Sequence, residues 1–370
     1  MDDPTCSNCP VNRLTRIAPY GILILIGLIS ACNPQTTKSP SPDTLVIFPP
    51  PPDTTRIQFL THFTSSEDLK GKRSGFHRYL FGEEQPLSII KPYGITIHKN
   101  RIYICDTGLA GLEVLDLSEG TFEYFIPDGK GRLKLPINSC LDERGYIFIA
   151  DANRKQIVVF DNERKYIHAF GEAEDFKPTD VAVHQGKIWV ANVEDHSVNV
   201  YSVENYELLE RIPDVEAGEE GYIRQSTNIS INNDILYVSD FGDFNIKRFS
   251  SGGEFRGIIG GYGNGPGKFT RPKGIALDRD ENLYVIDAAF ENVQIFNADG
   301  NILMHFGGSY KGAGAMWLPA AVEVSYENLS YFQPYVDESF ELKYLIYVTN
   351  QYGPAKVNVY GFVEDKPISP

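Results

Sequence analysis

The sequence predicts an all-β fold, a six-bladed β-propeller with four-stranded blades, on three observations. A four-part phrase of about 40–50 residues recurs six times. Each copy contains a strand pattern that closes on Asp or Asn: Asp106, Asp151, Asn192, Asp240, Asp287 and Asn350. The sixth copy stops after its third strand, while residues 56–63 (RIQFLTHF) carry the missing pattern and have no copy of their own. Supplied from the other end of the chain, that strand closes the ring and removes an exposed sheet edge. Composition agrees: 12% aromatic residues, 33 Gly and 23 Pro in 370 residues fit many short strands joined by tight turns.

The N-terminal segment reads as an address. Residues 17–31 are uncharged and largely apolar, and Arg13 and Arg16 precede them. This is a positive region followed by a hydrophobic region too short and too broken by Pro and Gly for a good spanning helix. It ends Ile29-Ser30-Ala31-Cys32. These four residues resemble a bacterial lipobox, and the resemblance implies cleavage before Cys32 and lipidation of its sulfur. Asn33 after the Cys implies the outer membrane by the enterobacterial sorting pattern. The expected partners therefore begin with the membrane itself, through lipidated Cys32. Residues 1–31 are read as signal peptide and 32–55 as a Cys-anchored tether. Seven prolines among residues 33–55 make that tether a semi-rigid, polyproline-type spacer. Cys6 and Cys9 fall in the discarded part, and Cys105 and Cys140 lie inside apolar strand patterns, as buried thiols do.

Residues 56–365 hold the propeller. Each copy opens with Pro and an apolar run (Pro92, Pro136, Pro178, Pro272 and Pro319, with Ser226 in the fourth copy). The Asp-ending strand follows, then an alternating strand such as IVVFD from Ile157 or VQIFN from Val293. A fourth strand closes the copy, as in YIHAFG near Phe170 and ILMHFGG near Phe306. The pattern Arg271-Pro272-Lys273-Gly274-Ile275, then LYVID, then VQIF, then HFG resembles the NHL repeat. That resemblance implies the propeller fold and says little about function, because such folds host enzymes and scaffolds alike. The Gly-rich run from Gly260 to Gly267 lacks the spacing of a dinucleotide site and reads as turns.

Lys91, Lys177, Arg224 and Arg271 precede innermost strands, and the repeat Asp and Asn residues sit at neighbouring turns. The plain reading has each acid cap its turn and pair with a nearby base. The sharper reading is an anion or partner site on a basic channel face. Two residues after the proline, where Gly94 and Gly274 stand in blades 1 and 5, blades 2, 3 and 4 carry Asn138, Asp180 and Asn228. Such oxygen donors suit Ca²⁺, and six-bladed lactonases of the gluconolactonase type hold a divalent metal at the pore mouth. Asn and Asp are also the usual stand-ins for Gly at positive φ. The lyase of peptide amidation also resembles NHL propellers and uses zinc-binding histidines, but the seven histidines here do not recur at the strand entries. The long connection in blade 6 carries Tyr331, Phe332 and Tyr335 among acids, either a docking element or a loop packed on its own blade.

The net charge of −15 (34 Lys+Arg against 49 Asp+Glu) and the export signal argue against nucleic acid as a partner. The leading expectation is a membrane-anchored, extracytoplasmic binding or scaffold module for an envelope or extracellular protein or glycan, with no cofactor and no chemistry. The alternative is a Ca²⁺-dependent, lactonase-like hydrolase with Asn138, Asp180 and Asn228 at the pore mouth.

Overall fold

Apolar residues alternate along each repeat strand, and the turns between them are short, so each copy closes locally into an antiparallel sheet. The computed structural model describes residues 45–70, 85–171 and 174–367. Lipidation at Cys32 and the segment before residue 45 lie outside the described residues.

Six sheets form, one per copy. Blade 1 runs from its innermost strand Pro92–His98 through Arg101–Asp106 and Gly111–Asp116 to Thr121–Phe125. Blades 2 to 5 repeat this order, with innermost strands Pro136–Leu141, Pro178–His184, Ser226–Asn232 and Pro272–Leu277. Each innermost strand packs against those of both neighbouring blades, and Pro319–Ser325 of blade 6 closes on blade 1. Every innermost strand carries a register shift just after its opening residue, between Pro178 and Asp180 in blade 3 and between Pro272 and Ile275 in blade 5. These bulges bend the strand at the channel mouth.

Blade 6 closes as expected. Ile57–Phe63 pairs antiparallel with Val357–Asp365, with Ile57 opposite Phe362 and Phe63 opposite Val357. The sheet then gains a fifth strand from within the expected tether: Ile47–Phe48 pairs with Gln58 and Ile57. Phe48 lies 6.2 Å from Phe306 of blade 5, centroid to centroid. The Pro-rich spacer therefore does not run to residue 55, because the apolar pair Ile47–Phe48 finds both a sheet edge and a core to cover.

The core lies between blades. Phe148, Ala150, Ile157 and Val159 of blade 2 pack against Val181, Ile188 and Val190 of blade 3, and all are buried. Gly274 shows how close the blades come near the axis: a Cβ there would fall 2.6 Å from Cα of Ala321 in blade 6. Cys105 is buried, Cys140 is half-buried, and both are free thiols. Among the described residues, no helix is long and apolar enough to cross a membrane.

Phe63 is 2% exposed and packs edge-on against Phe332, so it ties the closing strand to the last blade. Phe63→Ala is expected to lower the unfolding free energy by about 3–5 kcal/mol, the usual cost of emptying a buried aromatic site. Denaturant unfolding measures it, and a loss below about 1 kcal/mol would mean that this strand does not hold the ring.

Candidate functional site at the channel mouth

The Asp or Asn that ends each second strand is buried, and buried polar groups persist only when hydrogen-bonded. Asp106 Oδ2 accepts the backbone N–H groups of Ile90 and Lys91 (2.9 and 2.6 Å), and Oδ1 accepts those of Gly108 and Leu109 (2.7 and 2.9 Å). Asp240 does the same for Arg224, Gln225, Gly242 and Asp243. Asp287 holds Thr270, Arg271, Ala289 and Phe290. Asp151 accepts from Lys134, Leu135 and Arg154. Asn192 and Asn350 use their oxygens on Lys177 and Trp317 and donate their amide nitrogens to Asp175 and Ala355 carbonyls. One side chain thus clamps two loops, the entry to the innermost strand and the turn after the second strand. The capping half of the plain reading holds; the pairing half does not, since only Asp240 forms an ion pair, with Lys247, and none of the six pairs with Lys91, Lys177, Arg224 or Arg271 among the described residues.

The four basic residues expected on this face therefore have their backbone amides bound and their side chains directed outward. They differ in how far they are neutralised. Arg224 pairs with Asp243 at 2.7 Å, and Lys177 reaches Glu194 at 3.9 Å. Lys91 lies 5.6 Å from the Tyr352 ring centroid, and no ion pair is recorded for Lys91 or Arg271 among the described residues.

A fifth cation was not singled out from the sequence. Lys273 occupies the position after the proline, where the other repeats carry Tyr93, Ile137, Thr179, Thr227 and Ala320. Its signal was a lone charge in a column otherwise free of it. Lys273 is 6% exposed, and its Nζ stands 4.9 Å from the Tyr93 ring centroid. Burial, with the charges of Arg271 and Lys91 behind it, pulls its pKa down to about 8.

Asn138, Asp180 and Asn228 are neighbours on the channel wall; Asn138 and Asp180 each reach the next blade, and Asn228 reaches back to Asp180. Asn138 Nδ2 donates to the Thr179 carbonyl (3.1 Å), while its Oδ1 faces the space beside Gly94. Asp180 accepts the N–H groups of Val181 (2.8 Å) and Ile229 (2.9 Å), and Asn228 Nδ2 lies 3.3 Å from its Oδ2. The oxygen of Asn138 thus points toward blade 1, away from Asp180, and the three side chains do not present their oxygens to one point. Among the described residues, no group of three or more His, Cys, Asp or Glu is placed to hold a metal ion.

The blade-6 connection folds onto its own blade. Phe332 is fully buried against Phe63, Tyr331, Tyr335 and Tyr347, and Tyr331 is half-buried. Of the three aromatics expected to dock a partner, only Tyr335, at 44% exposure, presents its ring outward. A cleft of about 610 Å³ on the rim is lined by Leu208, Leu209 and Arg211, and that Arg is engaged by Asp195 at 3.3 Å.

The third strands carry a further buried charge. Glu113 and Lys247 occupy the same register, opposite Ile104 and Val238. Lys247 pairs with Asp240 and Asp243. Glu113 instead sits beside Asp106, fully buried, with no hydrogen-bond partner for either oxygen among the described residues. Burial and the charge of Asp106 push its pKa up to about 10. Burial likewise raises Asp180 to about 7. Glu323 rises to about 8 through desolvation and the charge of Asp180 on the opposite blade.

Residues 212–366 match a family model described as "6-bladed beta-propeller". The fold is a six-bladed β-propeller. No curated protein matches the sequence. Solved structures share the fold at low identity. One is a protein of unknown function from Bacteroides thetaiotaomicron (10% identical, 84% of this chain and 76% of that chain, TM-score 0.55). Another is a catalytically inactive variant of virginiamycin B lyase from Staphylococcus aureus with quinupristin (14% identical, 74% of this chain and 95% of that chain, TM-score 0.50).

A carboxyl whose folded pKa exceeds its unfolded value takes up a proton on folding, so stability falls as pH rises between the two values. Glu113, Glu323 and Asp180 all shift upward, so the unfolding free energy is expected to fall as pH is raised from about 4.5 to 8, above which the lowered pKa of Lys273 adds a rising contribution that offsets that of Glu113. Glu113→Gln should make the fall below pH 8 shallower and leave stability rising above pH 8, where Lys273 alone contributes. Urea unfolding across this range checks both, and a wild-type stability rising from pH 6 to 9 would contradict the assignment.

Proposed function

We propose that this chain is a lipid-anchored, extracytoplasmic propeller that binds an envelope or extracellular partner with its channel-mouth face and carries out no chemistry. Lipidation of Cys32 would hold it at the outer membrane, with residues 33–44 as the spacer. The observation that carries the reading is the use of the repeat acids. On a chain of net charge −15, the six most recurrent polar side chains are spent on backbone N–H groups and carbonyls. Lys91, Arg271 and Lys273 are left as a cationic mouth, with Lys177 and Arg224 around the ring. Complementary charge of this kind favours specificity and encounter rate for an acidic partner.

The hydrolase alternative has less to rest on. A carbonyl-polarising Ca²⁺ needs six to eight converging oxygens, whereas Asn138 and Asp180 turn polar atoms to the next blade and Asn228 donates its Nδ2 back to Asp180, its Oδ1 being buried without a partner among the described residues. The lyase likeness is at 14% identity and carries the fold alone.

A photo-crosslinking residue in place of Ala289, exposed on the mouth face, is expected to give a discrete adduct in cells. The same residue in place of Tyr335, on the opposite face, is expected to give none. Cys32→Ser should abolish fatty-acid labelling and move the protein out of the membrane fraction. Adducts from the Tyr335 position alone would reverse the assignment of the binding face, and labelling that survives Cys32→Ser would remove the anchor.

A further inference from the structure

We propose that Lys273, Arg271 and Lys91 form a binding site for a terminal anionic group (carboxylate, sulfate or phosphate) at the channel mouth, where blades 5, 6 and 1 meet. The proposal rests on the reading of the mouth as the binding face and narrows it to half of the ring.

Lys273 carries the argument. An ammonium taken out of water is costly unless it is paired and hydrogen-bonded. The fold contains a buried Lys that meets this condition: Lys247, 4% exposed, has two carboxylates, Asp240 and Asp243. Lys273 is buried almost as deeply, yet among the described residues it has no recorded hydrogen bond and no ion pair. Its contact is the face of Tyr93, and a cation–π interaction is worth on the order of 1–2 kcal/mol, less than the desolvation it must offset. The charges that act on it are of its own sign, Arg271 from the same strand entry and Lys91 from blade 1. Lys91, Arg271 and Lys273 repel one another, and the carboxylate at the entry of blade 6, Glu291, is taken by the Leu318 N–H at 2.9 Å; an anion among the cations lowers the repulsion and pairs the charge.

The geometry gives the site its shape. Blade 6 lies between Lys273 and Tyr93 and contributes only Ala320 at the corresponding position, so no larger side chain fills the gap. Arg271 is exposed at the rim and offers a planar fork suited to an oxyanion. Tyr352, 54% exposed beside Lys91, supplies a flat apolar surface for the body that bears the anionic group. A ring-borne carboxylate thus gains a stacking contact that a free inorganic ion does not.

The test is calorimetric titration of the purified full-length chain at low ionic strength, with inorganic phosphate, sulfate and benzoate as probes. Binding is expected for all three, with benzoate alone weakened by Tyr352→Ala. Lys273→Met should weaken every probe by about tenfold or more, the loss of one charge-assisted contact. It should leave the melting temperature unchanged or raised, because it removes a buried unpaired charge. Arg271→Gln should weaken binding, and Arg224→Gln in blade 4, whose guanidinium is already engaged by Asp243, should not. Equal binding by wild type and Lys273→Met would overturn the proposal, as would loss of binding in Arg224→Gln. If no probe binds while the crosslink from position 289 persists, the anion site is wrong and the binding-face reading stands. If the crosslink is also lost, both fail.

Discussion

The channel mouth of this molecule hangs on one hydrogen-bond arrangement repeated six times. A buried Asp or Asn at the end of each second strand accepts backbone N–H groups from the loop that enters the innermost strand. A hydrogen bond to an ionised acceptor contributes about 1.5–3 kcal/mol, and Asp106, Asp240 and Asp287 each make four. These contacts fix where each innermost strand begins, hence its bulge, its inward approach and the direction of the residue before the proline. The channel mouth is ordered by side chains that never reach solvent.

The same arrangement sets the electrostatics. Because the repeat acids are consumed by backbone donors, the bases beside them are not neutralised by them. Lys177 and Arg224 find other acids, Glu194 and Asp243, while Lys91 and Arg271 have no ion pair among the described residues. Where a repeat departs from the pattern, a buried charge needs its own solution. Lys247 solves it with Asp240 and Asp243, Glu113 by keeping its proton beside Asp106, and Lys273 has Tyr93 and an open side toward the mouth. Along the wall below, Asn138, Asp180 and Asn228 join blades 2, 3 and 4 to their neighbours.

The ring was readable from the residues because its signals are periodic. Strand-ending acids, opening prolines and the orphan strand at residues 56–63 recur or fail to recur at a fixed spacing, and the sheets follow them. Signals that occur once were harder to weigh. Ile47–Phe48 hides among prolines, and only the free edge of blade 6 makes it a strand. Tyr331, Phe332 and Tyr335 have the composition of a docking loop, which is also that of a loop packed on its own blade, and Phe332 takes the second course. Lys273 stands inside the best-preserved repeat motif, so it read as part of the pattern. Its distinction lies in the column rather than the row: the five other blades place uncharged residues there.

Amide hydrogen exchange in Asp287→Ala and Asp287→Asn tests the central claim most directly. If the buried acid holds the mouth, the amides of Thr270 and Arg271 should exchange about tenfold faster or more in the Ala variant, the equivalent of one lost charge-assisted hydrogen bond. The Asn variant, which keeps an acceptor as Asn192 and Asn350 do, should recover part of that protection. Unchanged protection of both amides in a folded Asp287→Ala protein would mean that something other than the buried acid orders the channel mouth.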